Sequence, residues 1–216
     1  MSLFLSRKNN QRSALGIWHI TESLDELLKM KNISEEDLSM LRSFAHEQRK
    51  KEWLVTRILT GQLSGEKDAQ ILYDKHNKPS LNNSNICISL SHSHDLLAVI
   101  LDHAETGIDI ELIKPKISNI KEKFMSKAEL DSLQKDHTAE QLTIYWCAKE
   151  SLYKLYGRKE LAFKENLIIE PFQYARKGII KGWIKKRDVN QSYPVQYEKL
   201  MPGKDNYMLA YVIGQD

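Results

Sequence analysis

The alternation of apolar and polar positions changes period several times along this chain, and each change marks an element. Residues 16–20 read as a short strand, after which Thr21 offers an N-cap for a helix running to Met30. Ser34 followed by Glu35, Glu36 and Asp37 reads as a second helix start, with acids in the first turn to meet the macrodipole. No Pro interrupts the chain from there to Leu63, which predicts one or two helical stretches. Residues 65–85 are polar and turn-rich, with a short strand at 71–73 and an extended Lys78-Pro79 dipeptide. Apolar runs at 86–90 and 96–101 read as strands, with Ser91, His92, Ser93, His94 and Asp95 as the polar turn between them.

Residues 107–111 predict another strand. Period two puts Asp109 and Glu111 on one face and Ile108 and Ile110 in the core. Ser126 with Glu129 three residues on reads as a capping box. Residues 141–156 hold no Gly or Pro and predict a helix with Leu142, Tyr145, Leu152 and Leu155 as its apolar stripe. Glu150 and Lys154 stand one turn apart on another flank, and Trp146 lies one turn before Glu150. Beyond Gly157 come strand-like pieces at 167–169, 178–180, 183–184, 194–197 and 207–213. The order repeats itself: a Gly-Ile-led strand (Gly16, Gly107), a Ser-capped helix (Ser34, Ser126), a longer helix, then strands. That pattern predicts an α+β protein of two pseudo-symmetric α/β subdomains, residues 1–105 and 106–216, with the active site in the cleft between them.

Composition narrows the class. A length of 216 residues suits one large domain or two small ones, and 41% hydrophobic with 28% charged residues is ordinary for a folded soluble protein. A net charge of +3 falls short of a nucleic-acid-binding signature, so local clusters matter more than the total. Cys87 and Cys147 are the only cysteines and show no sign of pairing, which fits a reducing compartment. The amino-terminal apolar patch is only Leu3, Phe4 and Leu5, too short for a signal-peptide core, and no run reaches membrane-spanning length. A cytoplasmic protein without a membrane or nucleic-acid partner is the expectation.

The candidate chemistry stays open on these residues alone. Glu150 above Lys154 is, by itself, a surface pair worth about 0.2–0.5 kcal/mol. Asp109 beside Glu111 carries a repulsion that solvent at a sheet edge or a cation would relieve. Oxygen donors without Cys suit Mg²⁺ or Mn²⁺ better than zinc, and His92 with His94 lacks a third soft ligand. The basic segment of Arg42, Arg49, Lys50, Lys51 and Arg57 against Glu47 and Glu52 is either a solvated helix face or an anion cradle, with Lys50 and Arg57 sharing a face at a spacing of seven.

Taken together, these pieces resemble the 4′-phosphopantetheinyl transferase superfamily, in its long, internally duplicated class. Lys78-Pro79 with Leu81 is similar to the family's Lys-Pro element, although Asn77 stands where Gly is common. Ser91-His92-Ser93 is similar to its Ser-His-Ser element, residues 107–111 to G-[IV]-D-[IVL]-E, and residues 146–154 to W-x-x-K-E-[AS]-x-x-K. Phe124 to Glu129 resembles the intervening F-x-x-x-x-E segment. The resemblance implies transfer of the 4′-phosphopantetheine arm of coenzyme A to a serine of an apo acyl or peptidyl carrier protein, with Mg²⁺ (or Mn²⁺) and release of adenosine 3′,5′-bisphosphate. It implies Asp109, Glu111 and Glu150 as metal ligands, Glu150 or Glu129 as the base, and Lys154 as a phosphate clamp. Ser91 and His92 would contact coenzyme A phosphates, Lys78 and Pro79 the nucleotide end, and Arg49, Lys50 and Arg57 the 3′-phosphate. It also implies a monomer. A non-catalytic coenzyme A-binding module and a Mg²⁺-dependent phosphodiesterase are the competing readings.

Overall fold

The computed structural model describes residues 3–9, 13–31, 33–66, 69–187 and 189–215. Its first half runs β1 (Leu3–Asn9), β2 (Ser13–His19), α1 (Leu24–Lys29), α2 (Glu35–Ser43), α3 (Glu47–Ser64), β3 (Ile71–Tyr73), β4 (Pro79–Leu81), β5 (Cys87–Ser93) and β6 (Leu96–Asp102). Its second half runs β7 (Thr106–Leu112), α4 (Lys121–Phe124), α5 (Lys127–Asp131), α6 (Thr138–Tyr156), β8 (Leu167–Ile169), β9 (Lys177–Lys186), β10 (Val189–Leu200) and β11 (Tyr207–Ile213). Two antiparallel sheets result, ordered β1-β2-β6-β5-β4-β3 and β7-β11-β10-β9-β8.

With β1 set aside, the two orders are one topology. In each half a first strand leads through helices to four more strands, the last of which returns to pair with the first. The equivalence extends to side-chain positions. A Cβ on Gly16 would meet Leu59 and Leu63, and a Cβ on Gly107 would meet Ser151 and Leu155. These are the residues six and two before Gly65 and Gly157, the left-handed C-caps of α3 and α6. The chain is therefore an α+β protein of two similar halves.

Local chemistry accounts for most element ends. Ser34 caps α2 through the Asp37 amide, and Ser126 caps α5 in a full capping box with Glu129. The first helix departs from expectation: its N-cap is Ser23, boxed with Glu26, rather than Thr21. Strand β1 had no counterpart in the sequence reading and pairs with β2 as an added edge.

Three apolar layers hold the fold. One lies between the first sheet and α1 to α3, a second between α6 and the second sheet, and a third between the two sheets. Every residue of β6 is buried. Its Leu97, Val99 and Leu101 face α3, while Leu96, Ala98 and Ile100 meet Ile108, Ile110 and Leu209 of the other sheet. At about 1.5–3 kcal/mol per buried aliphatic side chain, this two-sided burial fixes the halves against each other.

A ladder of serines completes that joint. The amides of Ile108, Ile110 and Leu112, on the free edge of β7, donate to Ser89, Ser91 and Ser93 of β5 at 3.1, 3.2 and 3.2 Å. Buried edge amides need acceptors. Side-chain hydroxyls from the other half supply them, and this places β7's acidic residues beside β5. Ser91, His92 and Ser93 thus belong to the strand, and the turn shrinks to His94 and Asp95. His94 sits there at φ 50.

Candidate active site

Three elements converge on Asp109. From β5, Ser91 donates to Asp109 Oδ1 at 2.7 Å. From α6, Lys154 Nζ donates to the same oxygen at 2.7 Å and to the Ile108 carbonyl at 2.8 Å. Asp109 Oδ2 is buried and, among the described residues, has no hydrogen-bond partner. Two residues along β7, Glu111 Oε2 accepts from Ser93 Oγ at 2.7 Å. Period two on β5 and β7 thus gives each carboxylate its own serine.

Glu150 stands one turn before Lys154 on α6. Burial first, and then the Asp109 charge, push its carboxyl up to about 7, with Lys154 acting in the opposite sense and Glu111 adding to the rise. Burial likewise raises Glu111, with the Asp109 charge in the same direction and hydrogen bonding from Ser93 against it. Carboxylates that raise one another share a site. As the side chains stand, no group of three or more His, Cys, Asp or Glu among the described residues is closed enough to hold a metal ion. The counter-charge at Asp109 is instead the Lys154 ammonium.

A cavity of about 310 Å³ opens beside Lys154, and residues of both halves line it. Helix α3 contributes Arg49, Glu52, Trp53, Thr56 and Arg57, the β3–β4 turn Lys78, the start of β4 Pro79, β5 His92, the end of α6 Tyr153 and Lys154, and the segment after it Arg158. The helix face at issue is set by Arg49 and Arg57. Lys50, one residue round the helix, is not among the lining residues, so the seven-residue pairing with Arg57 chose the neighbouring phase. The Arg57 guanidinium lies 3.3 Å from the Trp53 ring centroid. Lys78 Nζ pairs with Glu105 and donates to the Leu155 carbonyl, and its stem fills the space over Gly157. A second groove of about 340 Å³, lined by His94, Glu111, Lys114, Ile117 and Trp146 among others, lies on the Glu111 side.

Two expected site residues are turned elsewhere. Ser91 is buried with its hydroxyl committed to Asp109 and the Ile110 amide, so it holds a carboxylate rather than facing the cavity. Glu129 is fully buried. It accepts from the Ser126 and Ile169 amides at 2.6 and 2.8 Å and from Lys149 Nζ at 2.9 Å. Lys149, also fully buried, donates onward to the carbonyls of Phe124 and Phe163. This pair ties α5 and β8 to α6, which accounts for Glu129 without chemistry. Cys147 is buried against the Met208 carbonyl, and burial drives its thiol well above the ordinary value, so it is no nucleophile.

Sequence reasoning passed over Trp53, Tyr73 and Arg158 in the cavity wall, Ser93 beneath Glu111, and Glu52. Only Ser93 carried a usable signal, lying two residues from Ser91 on a strand as Glu111 lies two from Asp109. Among the described residues no helix is long and apolar enough to cross a membrane.

Comparison with known proteins gives a consistent answer. The chain is 30% identical over 116 residues to the 4′-phosphopantetheinyl transferase AcpT of Escherichia coli (strain K12), covering 50% of this chain and 59% of that protein. It is 28% identical over 147 residues to the 4′-phosphopantetheinyl transferase ffp of Bacillus subtilis, covering 63% of this chain and 65% of the relative. It is 38% identical over 73 residues to the 4′-phosphopantetheinyl transferase psf-1 of Bacillus pumilus, about a third of each chain. The matches thus span less than two thirds of the relatives' lengths. The family model described as 4′-phosphopantetheinyl transferase superfamily matches residues 105–212, half of the chain and the half that carries Asp109, Glu111, Glu150 and Lys154. The chain belongs to the 4′-phosphopantetheinyl transferase superfamily.

Proposed function

We propose that this protein transfers the 4′-phosphopantetheine arm of coenzyme A to a serine of an apo acyl or peptidyl carrier protein, releasing adenosine 3′,5′-bisphosphate. The observation that carries this reading is Asp109, whose Oδ2 is buried, finds no hydrogen-bond partner among the described residues, and sits in a carboxylate cluster beside a cation-lined cavity. A buried carboxylate oxygen without a donor is costly unless a cation meets it. The shared activity in the names of the relatives supports the same reading.

The residues fit a hard divalent cation, because the donors are carboxylate oxygens from Asp109, Glu111 and Glu150. Bound there, Mg²⁺ or Mn²⁺ would neutralise charge developing on the pyrophosphate. The rest falls to the chain itself. Arg49, Arg57, Lys78 and His92 are the proposed holders of the nucleotide end in the cavity. Lys154 is the proposed point charge for a phosphate oxygen, moving from Asp109 to do so. Glu150 is the proposed acceptor for the carrier-serine proton. The serine oxygen then bonds to the phosphorus bearing the pantetheine arm, and the bond from that phosphorus to the bridging oxygen breaks. The leaving group departs as adenosine 3′,5′-bisphosphate. Glu129 has no part in this scheme, being committed to Lys149 and two amides. The same reading takes the enzyme as a cytoplasmic monomer.

The test is intact mass spectrometry of a panel of apo carrier proteins incubated with coenzyme A and Mg²⁺. A carrier gaining the mass of one phosphopantetheine, with the gain lost in Glu150→Gln, is expected. Failure of every acyl and peptidyl carrier to gain it would overturn the reading. Cleavage of coenzyme A with no carrier present would favour a phosphodiesterase.

A further inference from the structure

Glu52 is the one carboxylate among the described residues lining a cavity whose other charged side chains are Arg49, Arg57, Lys78, Lys154, Arg158 and Lys159, with two histidines. On charge alone it is misplaced, since a fixed negative group in an anion site repels the ligand. Its side chain is also 11% exposed, whereas those of Arg49 and His92 are 56% and 44% exposed. Of these three groups the acid is the buried member, and Arg49 and His92 are the exposed ones.

The contacts explain the placement. Glu52 Oε2 accepts from Arg49 Nη1 at 3.1 Å, across one turn of α3. Glu52 Oε1 lies 3.6 Å from His92 Nδ1, on β5. Arg49 Nη1 stands 3.0 Å from His92 Nε2, which closes a three-membered ring of groups. With Nδ1 turned to the carboxylate, the imidazole keeps its proton on that side and leaves Nε2 to accept from Arg49. Arg49 reaches the site from a helix and His92 from a strand, and among the described residues Glu52 is the acid that bridges them. Two exposed side chains are thereby oriented before any ligand arrives, and the ordering cost is met during folding rather than during binding.

We propose that Glu52 is a positioning residue for phosphate recognition: it fixes Arg49 and His92 at the cavity mouth so that both address one anionic group of the substrate. The inference rests on the reading of the cavity as a coenzyme A site. It makes a prediction opposite in sign to bare electrostatics, under which removing an acid from a cationic cavity tightens anion binding.

The experiment is calorimetric titration of coenzyme A into the wild-type protein, Glu52→Gln, Arg49→Ala and the double variant, with melting temperatures recorded alongside. Glu52→Gln is isosteric, which protects the fold. Positioning predicts about tenfold weaker binding in E52Q, the scale expected for one charge-assisted hydrogen bond. It further predicts that R49A and E52Q together lose less than the sum of the two single losses, because one of the two groups to be positioned is already gone. In turnover, KM for coenzyme A rises in E52Q while KM for the carrier protein holds. Wild-type binding with equal or tighter binding by E52Q overturns the inference and leaves the coenzyme A reading standing. So do fully additive losses in the double variant. Absence of coenzyme A binding by the wild-type protein overturns the reading on which the inference rests, and the inference with it.

Discussion

Ser91 gives its hydroxyl proton to Asp109 Oδ1 at 2.7 Å while its oxygen takes the Ile110 amide at 3.2 Å. One side chain thus joins the two halves and aims a candidate metal ligand. Ser91→Ala leaves a buried edge amide without an acceptor, a cost of about 1–3 kcal/mol. It also frees the Asp109 carboxylate to rotate, and loss of such a supporting contact typically weakens metal binding by about 10–100-fold. A urea melt and the Mg²⁺ dependence of turnover read the two effects separately. Unchanged values in both would show that the serine ladder is incidental.

Glu150 supplies a pH signature. Its folded value of about 7 lies above the ordinary 4.5, so the folded protein binds its proton more tightly than the unfolded chain does. That contribution to stability is fully present below the ordinary carboxylate range and is lost as pH rises through about 7. Burial raises Glu111 in the same direction. Metal-free protein should therefore melt at lower temperature as pH climbs through that window, and Glu150→Gln should flatten the slope. Added Mg²⁺ should raise the melting temperature more at about pH 8 than at about pH 5, because carboxylates bind metal only when ionised. A melting profile independent of pH in both proteins would sink this account.

The buried pair of Lys149 and Glu129 separates structure from chemistry. Removing either partner strands a charge that is fully buried, so Lys149→Met or Glu129→Gln should cost about 3–5 kcal/mol in a denaturant melt. The double variant E129M/K149M should cost less than the sum, since no lone charge remains. Glu129→Gln should lose stability, whereas Glu150→Gln should lose turnover with no fall in melting temperature. The reverse pattern would make Glu129 the base.

Sequence carried the fold further than it carried the site, for physical reasons. Helix caps at Ser34 and Ser126 were legible because capping is local, decided within four residues. The Ser23 and Glu26 box is equally local, and Thr21, two residues before it, offers a competing cap of the same chemistry. The duplication was legible because strand order follows the order of the apolar runs. Residues 91–93 look like a turn in sequence because their polarity serves a partner strand eighteen to nineteen positions away, and periodicity cannot report that. Asp109, Glu111, Glu150 and Lys154 were singled out by type and spacing. The choice of Arg49 over Lys50 and the role of Glu52 depend on the phase of α3 against β5, which only the packed structure sets.

The duplication itself yields the sharpest contrast between equivalent positions. A Cβ on Gly107 would lie 1.9 Å from the Ser151 carbonyl oxygen and 2.8 Å from the Leu155 amide nitrogen, both backbone atoms of α6. Neither can move without lifting the helix that carries Glu150 and Lys154 off the strand that carries Asp109. A Cβ on Gly16 would meet the side-chain carbons of Leu59 and Leu63, the nearest at 2.8 Å, and those rotamers can give. In the first half, moreover, Trp18 and Ile58 hold the positions of Asp109 and Glu150 when strands are matched at the two glycines and helices at their C-caps. Both are buried in core, so that half carries no second carboxylate cluster at the equivalent positions. Gly107→Ala should therefore abolish turnover and lower the melting temperature severely, whereas Gly16→Ala should cost about 1–3 kcal/mol, the scale of ordinary overpacking. Gly16→Ala should also keep turnover close to wild type. Parallel melts and carrier-modification assays of the two variants decide the matter, and equal penalties would mean that helix–strand approach is no closer in the second half than in the first.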